Sequence, residues 1–253
     1  MDKCDSIGML QSIGTCWFNS IFNNLLLSQR CFSIFYKKYN DLPKDEKEII
    51  QTSSPSDTCP LILRKSHFFH YFYMYHVRSN KSKLFNYFRK KDAQKLINKL
   101  ELRSPKWEKE RLSQYPQRVV ENLFNIILEP NEYIFQHILG KEKLIEDTTK
   151  FFILKNGNFL TIKDIKDVEK KAPKKDFVLD HAVIQITFDD EKQKKSGHVV
   201  AGYMCNDEYF IYDSNDIKYR KIDWRNKSEL EEYGEKYGTN IIIGYNYLCY
   251  VRV

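Results

Sequence analysis

From Trp17 onward, apolar residues return at intervals of three and four: Phe18, Ile21, Phe22, Leu25 and Leu26. That period predicts a helix with one buried face. Arg30 to Tyr39 continues aromatic and apolar until Asn40-Asp-Leu-Pro43 breaks it, and Lys44 to Ile50 predicts a short helix. Thr52 to Pro60 holds two prolines among Ser, Thr and Asp and reads as a loop; Leu61 to Val77 beyond it is densely aromatic. Tyr115 to Ile145 predicts two further helical segments broken near Glu129-Pro-Asn131, with His137 on a helical pattern beside Ile134, Ile138 and Leu139.

The pattern then changes to short apolar runs. Phe151 to Ile162 flanks Asn156-Gly157, a strong hairpin signal, and strands are predicted at Phe177–Phe188, His198–Met204, Glu208–Tyr212 and Ile241–Arg252. A helical front half followed by a strand-rich back half predicts an α+β fold. The division expected is a single domain over 1–253, with a mainly helical lobe over 1–145 and a β-rich lobe over 146–253.

The totals add limits. A chain of 253 residues buries a sizeable core without staples. No window approaches the roughly 18 apolar residues of a membrane span, so no membrane partner is expected. Met1-Asp-Lys-Cys-Asp-Ser6 lacks a basic stretch followed by an apolar run, which argues against a secretory leader and makes cytoplasmic placement, with nuclear or virion-associated placement as alternatives, the default expectation. Six cysteines (4, 16, 31, 59, 205 and 249) contain no C-x-x-C pair, so most are expected to be reduced and structural. His67 and His70 share a helical face, but with no other ligand type beside them a satisfied histidine is the plainer reading; no metal and no cofactor are expected.

The net charge of +7 resides in one stretch: from Arg78 to Arg111, twelve basic residues face four acids, interleaved with apolar residues at helical spacing. A basic helical insertion of this kind suits a polyanion, though without a nucleic-acid motif a solvated charged face is preferred to nucleic-acid binding.

The candidate chemistry starts at Cys16. Gly14 and Thr15 are turn and cap types, which places the thiol in the first turn of the first helix, where the positive end of the helix dipole favours thiolate. A lone cysteine is more often a small buried hydrophobe. Against that stand Gln11, five residues upstream and able to aim an amide at an oxyanion together with the Cys16 N–H, and polar Asn19 and Ser20 in the first turn. Among the six histidines, His198 follows Gly197 at the start of a strand, which turns at Asn206-Asp207 and returns through Glu208–Tyr212 to Asp213. One hairpin thus offers a base and a carboxylate to hold it, with Asn215 and Asp216 as neighbouring alternatives for the third member.

Gly8, Gln11, Thr15-Cys16-Trp17-Phe18-Asn19-Ser20, Asn23 and Leu25 resemble the cysteine box of the ubiquitin-specific proteases, a papain-like deubiquitinase family. Ser196-Gly197-His198, Leu179 to Ile184 and Tyr209 to Asp213 resemble its histidine box, and Tyr247 to Arg252 its closing strand. The resemblance implies a papain-like cysteine protease, a monomer, hydrolysing (iso)peptide bonds after the C-terminal Gly-Gly of ubiquitin or a ubiquitin-like modifier. It implies Cys16 as nucleophile, His198 as base, Asp213 as the acid that orients it, and Gln11 in the oxyanion hole. The chain departs from the family in having Gln11 where Asn is usual and Ile13-Gly14 where Gly-Asn is usual, and it lacks the paired C-x-x-C motifs of the zinc-bearing fingers. A divergent, minimal member, of the kind a large DNA virus or parasite carries, fits these departures. The alternatives are a catalytically idle papain-like scaffold that binds a protein or polyanion, and another acyl hydrolase or transferase using the same three residues.

Overall fold

A computed structural model describes residues 15–52, 64–76, 96–97, 99–100, 102, 116–156, 160–173, 176–216 and 219–253. Gln11, the loop to Pro60, Cys4, Cys59 and most of the basic stretch 78–111 lie outside them.

The fold is α+β. Helices α1 (Cys16–Leu27), α2 (Gln29–Asp41), α3 (Lys44–Thr52), α4 (Arg64–His76) and α5 (Pro116–Ile127) precede a run of strands: β1 (Tyr133–His137), β2 (Phe151–Lys155), β3 (Phe177–Asp189), β4 (Lys195–Cys205), β5 (Glu208–Tyr212), β6 (Tyr219–Lys221) and β7 (Thr239–Arg252). A short helix, α6 (Lys227–Gly234), stands between β6 and β7. The strands make one sheet in the order β1-β2-β7-β3-β4-β5-β6, in which β1 and β2 run parallel and every other neighbouring pair antiparallel.

Strand alternation divides the core into two layers. Phe151, Ile153, Val183, Tyr247, Cys249 and Val251 face the first five helices, where Phe18, Phe22, Phe35 and Phe68 form an aromatic interior. Their alternates Phe152, Leu154, Ala182, Ile184, Leu248 and Tyr250 face α6 and the 3-10 turn Lys166–Lys171. Each fully buried large apolar side chain contributes on the order of 1.5–3 kcal/mol, so this double-sided burial is what fixes the strand register. At Gly202 in β4 a Cβ would lie 2.8 Å from Ile184 Cδ1 and 2.9 Å from Trp224 Cγ, so glycine there lets the buried Trp224 reach the sheet and donate its Nε1–H to the Tyr203 carbonyl (3.2 Å).

Helix α1 departs from the expected one-faced pattern. Every residue from Trp17 to Leu27 is buried, including Asn19, Ser20, Asn23 and Asn24, so Asn19 and Ser20 sit in the core and not beside the thiol at the surface. The polar groups serve packing: Asn24 Nδ2 donates to the Ala182 carbonyl (2.7 Å), joining α1 to β3, and Ser20 Oγ donates to the Trp17 carbonyl (3.0 Å).

The second segment expected as helix after Pro130 is strand β1 instead. Ile134 and Ile138 are spaced as on a helix, but Tyr133, Ile134 and Phe135 favour extended backbone, and pairing with β2 satisfies that backbone along its length. His137 is consequently exposed and Leu139 is 92% exposed. The hairpin expected at Asn156-Gly157 is reduced to an antiparallel bridge, Asn156 to Leu160, because β2 spends its edges on β1 and β7.

Candidate active site

Cys16 is the first residue of α1, after Thr15 at the N-cap, and its side chain is half-buried while its helix neighbours are covered. Thr15 makes no side-chain cap; its carbonyl accepts from the Phe18 and Asn19 amides (3.1 and 3.0 Å), which starts the helix at the thiol. Burial of Trp17, Phe18 and Ile21 anchors the first turn against the core, so the position of the Cys16 thiol is set by packing.

His198 comes from β4, opposite Ile186 of β3. Asn206 and Asp207 at the hairpin tip take left-handed backbone (φ 50° and 58°), as a two-residue turn requires, and the register returns Tyr212 opposite Ala201. Asp213 follows directly and its Oδ1 meets His198 Nε2 at 2.7 Å. The Cys16 side chain lies within interaction range of the same imidazole and adds to its upward shift. The start of α1 and the β4–β5 hairpin, remote in the chain, therefore bring together thiol, imidazole and carboxylate. The neighbouring Asn215 is exposed, and its backbone N–H donates to Asp213 Oδ1 (2.9 Å), so it supports the carboxylate without replacing it.

The opposite oxygen, Asp213 Oδ2, is held by groups no sequence pattern marked. Lys236 Nζ donates at 3.0 Å, Tyr233 OH at 3.3 Å, and Tyr237 OH also donates to it. Lys236 Nζ further donates to Tyr233 OH (2.8 Å), and the Tyr237 ring lies 5.1 Å from the His198 ring, covering it. These side chains come from the end of α6 and the turn after it. Helix α6 is oriented by Asn226, which accepts from Ser228 N (3.1 Å) while Glu229 receives the Asn226 amide (3.0 Å). The one sequence signal was Tyr233, Lys236 and Tyr237 at spacings of three and four, which place polar tips on one helical face.

Burial alone would lower the basicity of His198, but the hydrogen bonds and charges of Asp213 and Cys16 outweigh it and push the imidazole up to about 9. Burial alone would raise Asp213; the His198 bond and charge, Tyr237 and the Asn215 amide instead hold it well below the usual carboxylate range. Buried and paired groups shifted in opposite senses are what an ion pair in a water-poor cleft produces.

The other histidines take different roles. His70 Nδ1 is 3.0 Å from the Ile50 carbonyl, and burial followed by the Lys99 charge lowers His67 to about 4. His181 lies inside β3, is fully buried, and has its Nδ1 2.8 Å from Asp180 Oδ2 and 3.7 Å from Cys31 Sγ. Of the described cysteines, Cys16, Cys31 and Cys249 are free thiols, whereas Cys205 is disulfide-bonded, a departure from the expected reduced set. No helix among the described residues is long and apolar enough to cross a membrane.

No family model and no curated protein matches the chain. Among solved structures, it is similar to a chain of the SAGA Ubp8/Sgf11/Sus1/Sgf73 DUB module, at 13% identity over 100% of this chain and 69% of that chain, with a TM-score of 0.40. A form of the same module carrying a Ubp8 substitution gives 11% identity over the same shares and a TM-score of 0.44.

Proposed function

We propose that the chain is a papain-like thiol hydrolase that cleaves (iso)peptide bonds after the C-terminal Gly-Gly of ubiquitin or a ubiquitin-like modifier. The observation that carries the hydrolase reading is the convergence of Cys16, His198 and Asp213, with Asp213 Oδ1 2.7 Å from His198 Nε2 and the thiol within interaction range of the same ring. The choice of substrate rests on the cysteine-box and histidine-box motifs around those residues. Cys16 Sγ, its proton having passed to His198, attacks the glycyl carbonyl as the thiolate to form a tetrahedral oxyanion. Collapse breaks the C–N bond as His198, protonated at neutral pH, gives its proton to the leaving lysine amine. Water, deprotonated by His198, then attacks the thioester and releases the modifier's carboxylate. Asp213 stays ionised throughout, fixing the ring and stabilising its positive charge. The Cys16 N–H and Gln11 are assigned to the oxyanion, Gln11 by its place in the motif.

A lysine-linked ubiquitin conjugate tests the reading. Wild type is expected to release free ubiquitin and Cys16→Ala to release none while keeping its circular dichroism spectrum. A folded wild type inert toward ubiquitin and every ubiquitin-like conjugate would exclude this substrate class. Retained hydrolysis of a small thioester in that case would point to another acyl hydrolase, and no hydrolysis at all to an idle scaffold.

A further inference from the structure

A second cysteine, histidine and aspartate meet where α2 starts on β3, and all three are fully buried. Cys31 Sγ lies 3.6 Å from Asp180 Oδ2 and 3.7 Å from His181 Nδ1, and those two atoms are 2.8 Å apart. We propose that Cys31, Asp180 and His181 form a structural zinc(II) site that clips the helical layer to the sheet.

The separations fit one ion. Bonds of about 2.0–2.3 Å at a tetrahedral angle put neighbouring N, O and S donors roughly 3.3–3.7 Å apart, so the two sulfur separations already match and only the His181–Asp180 contact must open. Thiolate, imidazole and carboxylate together suit a borderline-soft, tetrahedral divalent cation better than calcium or magnesium, which take all-oxygen shells. The donor atoms of Cys31, Asp180 and His181 all lie within 4.8 Å of one another, so one ion can reach all three.

Without a cation the cluster is poorly compensated. Among the described residues Asp180 Oδ1 makes no hydrogen bond and has a single long ion pair, 3.7 Å from Arg30 Nη1, and His181 Nε2 also lacks a hydrogen bond. A thiol is a weak donor to a buried carboxylate, and buried polar atoms left unmatched are costly. Zinc with one thiolate, one carboxylate and a neutral imidazole is charge-neutral, and its entry expels the Cys31 thiol proton to solvent. The surroundings also match a ligand's outer shell: Ser28 Oγ donates to Asp180 Oδ2 (2.6 Å) and accepts from Cys31 N (3.2 Å) as the cap of α2. Because Ser28 directly follows α1, the clip would hold the far end of the helix that begins at Cys16.

The test uses full-length Cys16→Ala protein, so that the surface thiol cannot bind metal, purified under phosphine reductant without chelator. About one zinc per chain is expected by elemental analysis. After chelation, added cobalt(II) should give thiolate-to-cobalt charge-transfer absorption that Cys31→Ala abolishes. Asp180→Asn keeps the shape and the Ser28 contact, and should weaken zinc retention roughly 10–100-fold, so the outcome does not depend on Cys31→Ala folding. A parent protein with neither zinc nor a cobalt–thiolate band overturns the proposal, as does a band that survives Cys31→Ala. Neither result bears on hydrolysis.

Discussion

The chain carries two clusters of the same three residue types, and their chemistry differs by placement. Cys31, His181 and Asp180 lie where α2 meets the sheet's helical layer with no exposure at all, and there burial pushes the thiol's pKa up and keeps it protonated. Cys16, His198 and Asp213 lie at the tip of α1 beside the β4–β5 hairpin, with the thiol half-buried and the imidazole raised above its ordinary value. In the first cluster the carboxylate faces the thiol directly; in the second the imidazole stands between them. A cysteine, a histidine and an aspartate make a nucleophile only when the thiol meets solvent and the histidine separates it from the acid; packed together out of water they make a ligand set or an inert core.

The contrast breaks first at the thiols. Cys16→Ala is expected to abolish turnover, and native-state iodoacetamide should modify Cys16 in wild type while Cys31 reacts only in denaturant, as read by peptide mass spectrometry. Comparable native labelling of Cys31 would dissolve the distinction. Next in size is the acid: Asp213→Ala should lower kcat by roughly 10²-fold or more, whereas Asn215→Ala and Asp216→Ala should have much smaller effects.

The imidazole's shift gives a pH test. His198 is raised above its unfolded value near 6.5, so the stability of its ion pair is complete below about 6.5 and is lost as pH rises through about 9. The same deprotonation removes the acid that protonates the leaving amine. Hydrolysis should therefore fall about 10-fold between pH 8 and 10, while alkylation of Cys16, which needs no acid, should not fall. A parallel decline in both rates would show that unfolding, not the loss of the imidazolium, sets the limb. The smallest effect belongs to the carboxylate's outer partners: Tyr237→Phe should cost roughly 5-fold in kcat with KM nearly unchanged, since Lys236 and Tyr233 still hold Oδ2. An equal change in KM would make Tyr237 a substrate-binding residue.

The first cluster of elements was readable because local rules and packing agree there. The period from Phe18 to Leu26 marked α1, β-branched and aromatic runs marked β3, β4, β5 and β7, and Asn206-Asp207 marked the turn that brings Asp213 back to His198. Strand β1 was misread since Ile134 and Ile138 mimic a helical face, and only its parallel neighbour β2 decides otherwise. Asn19 and Ser20 were misplaced because their polar side chains suggested an exposed face, whereas α1 is covered on every side from Trp17 to Leu27. Distance along the chain concealed the approach of Cys31 to Asp180 and His181, and the grip of Tyr233, Lys236 and Tyr237 on Asp213 depends on how α6 packs on the sheet. Gln11 and the basic stretch fall outside the described residues, so their assigned roles rest on motif and charge.

The most direct test of the account is to react the protein with ubiquitin bearing a C-terminal electrophile and to map the adduct. The account predicts one covalent ubiquitin on Cys16, none on Cys31, Cys205 or Cys249, and no adduct with Cys16→Ala. A ubiquitin adduct on another cysteine, or no adduct with ubiquitin or any ubiquitin-like probe from a folded wild type, would contradict it.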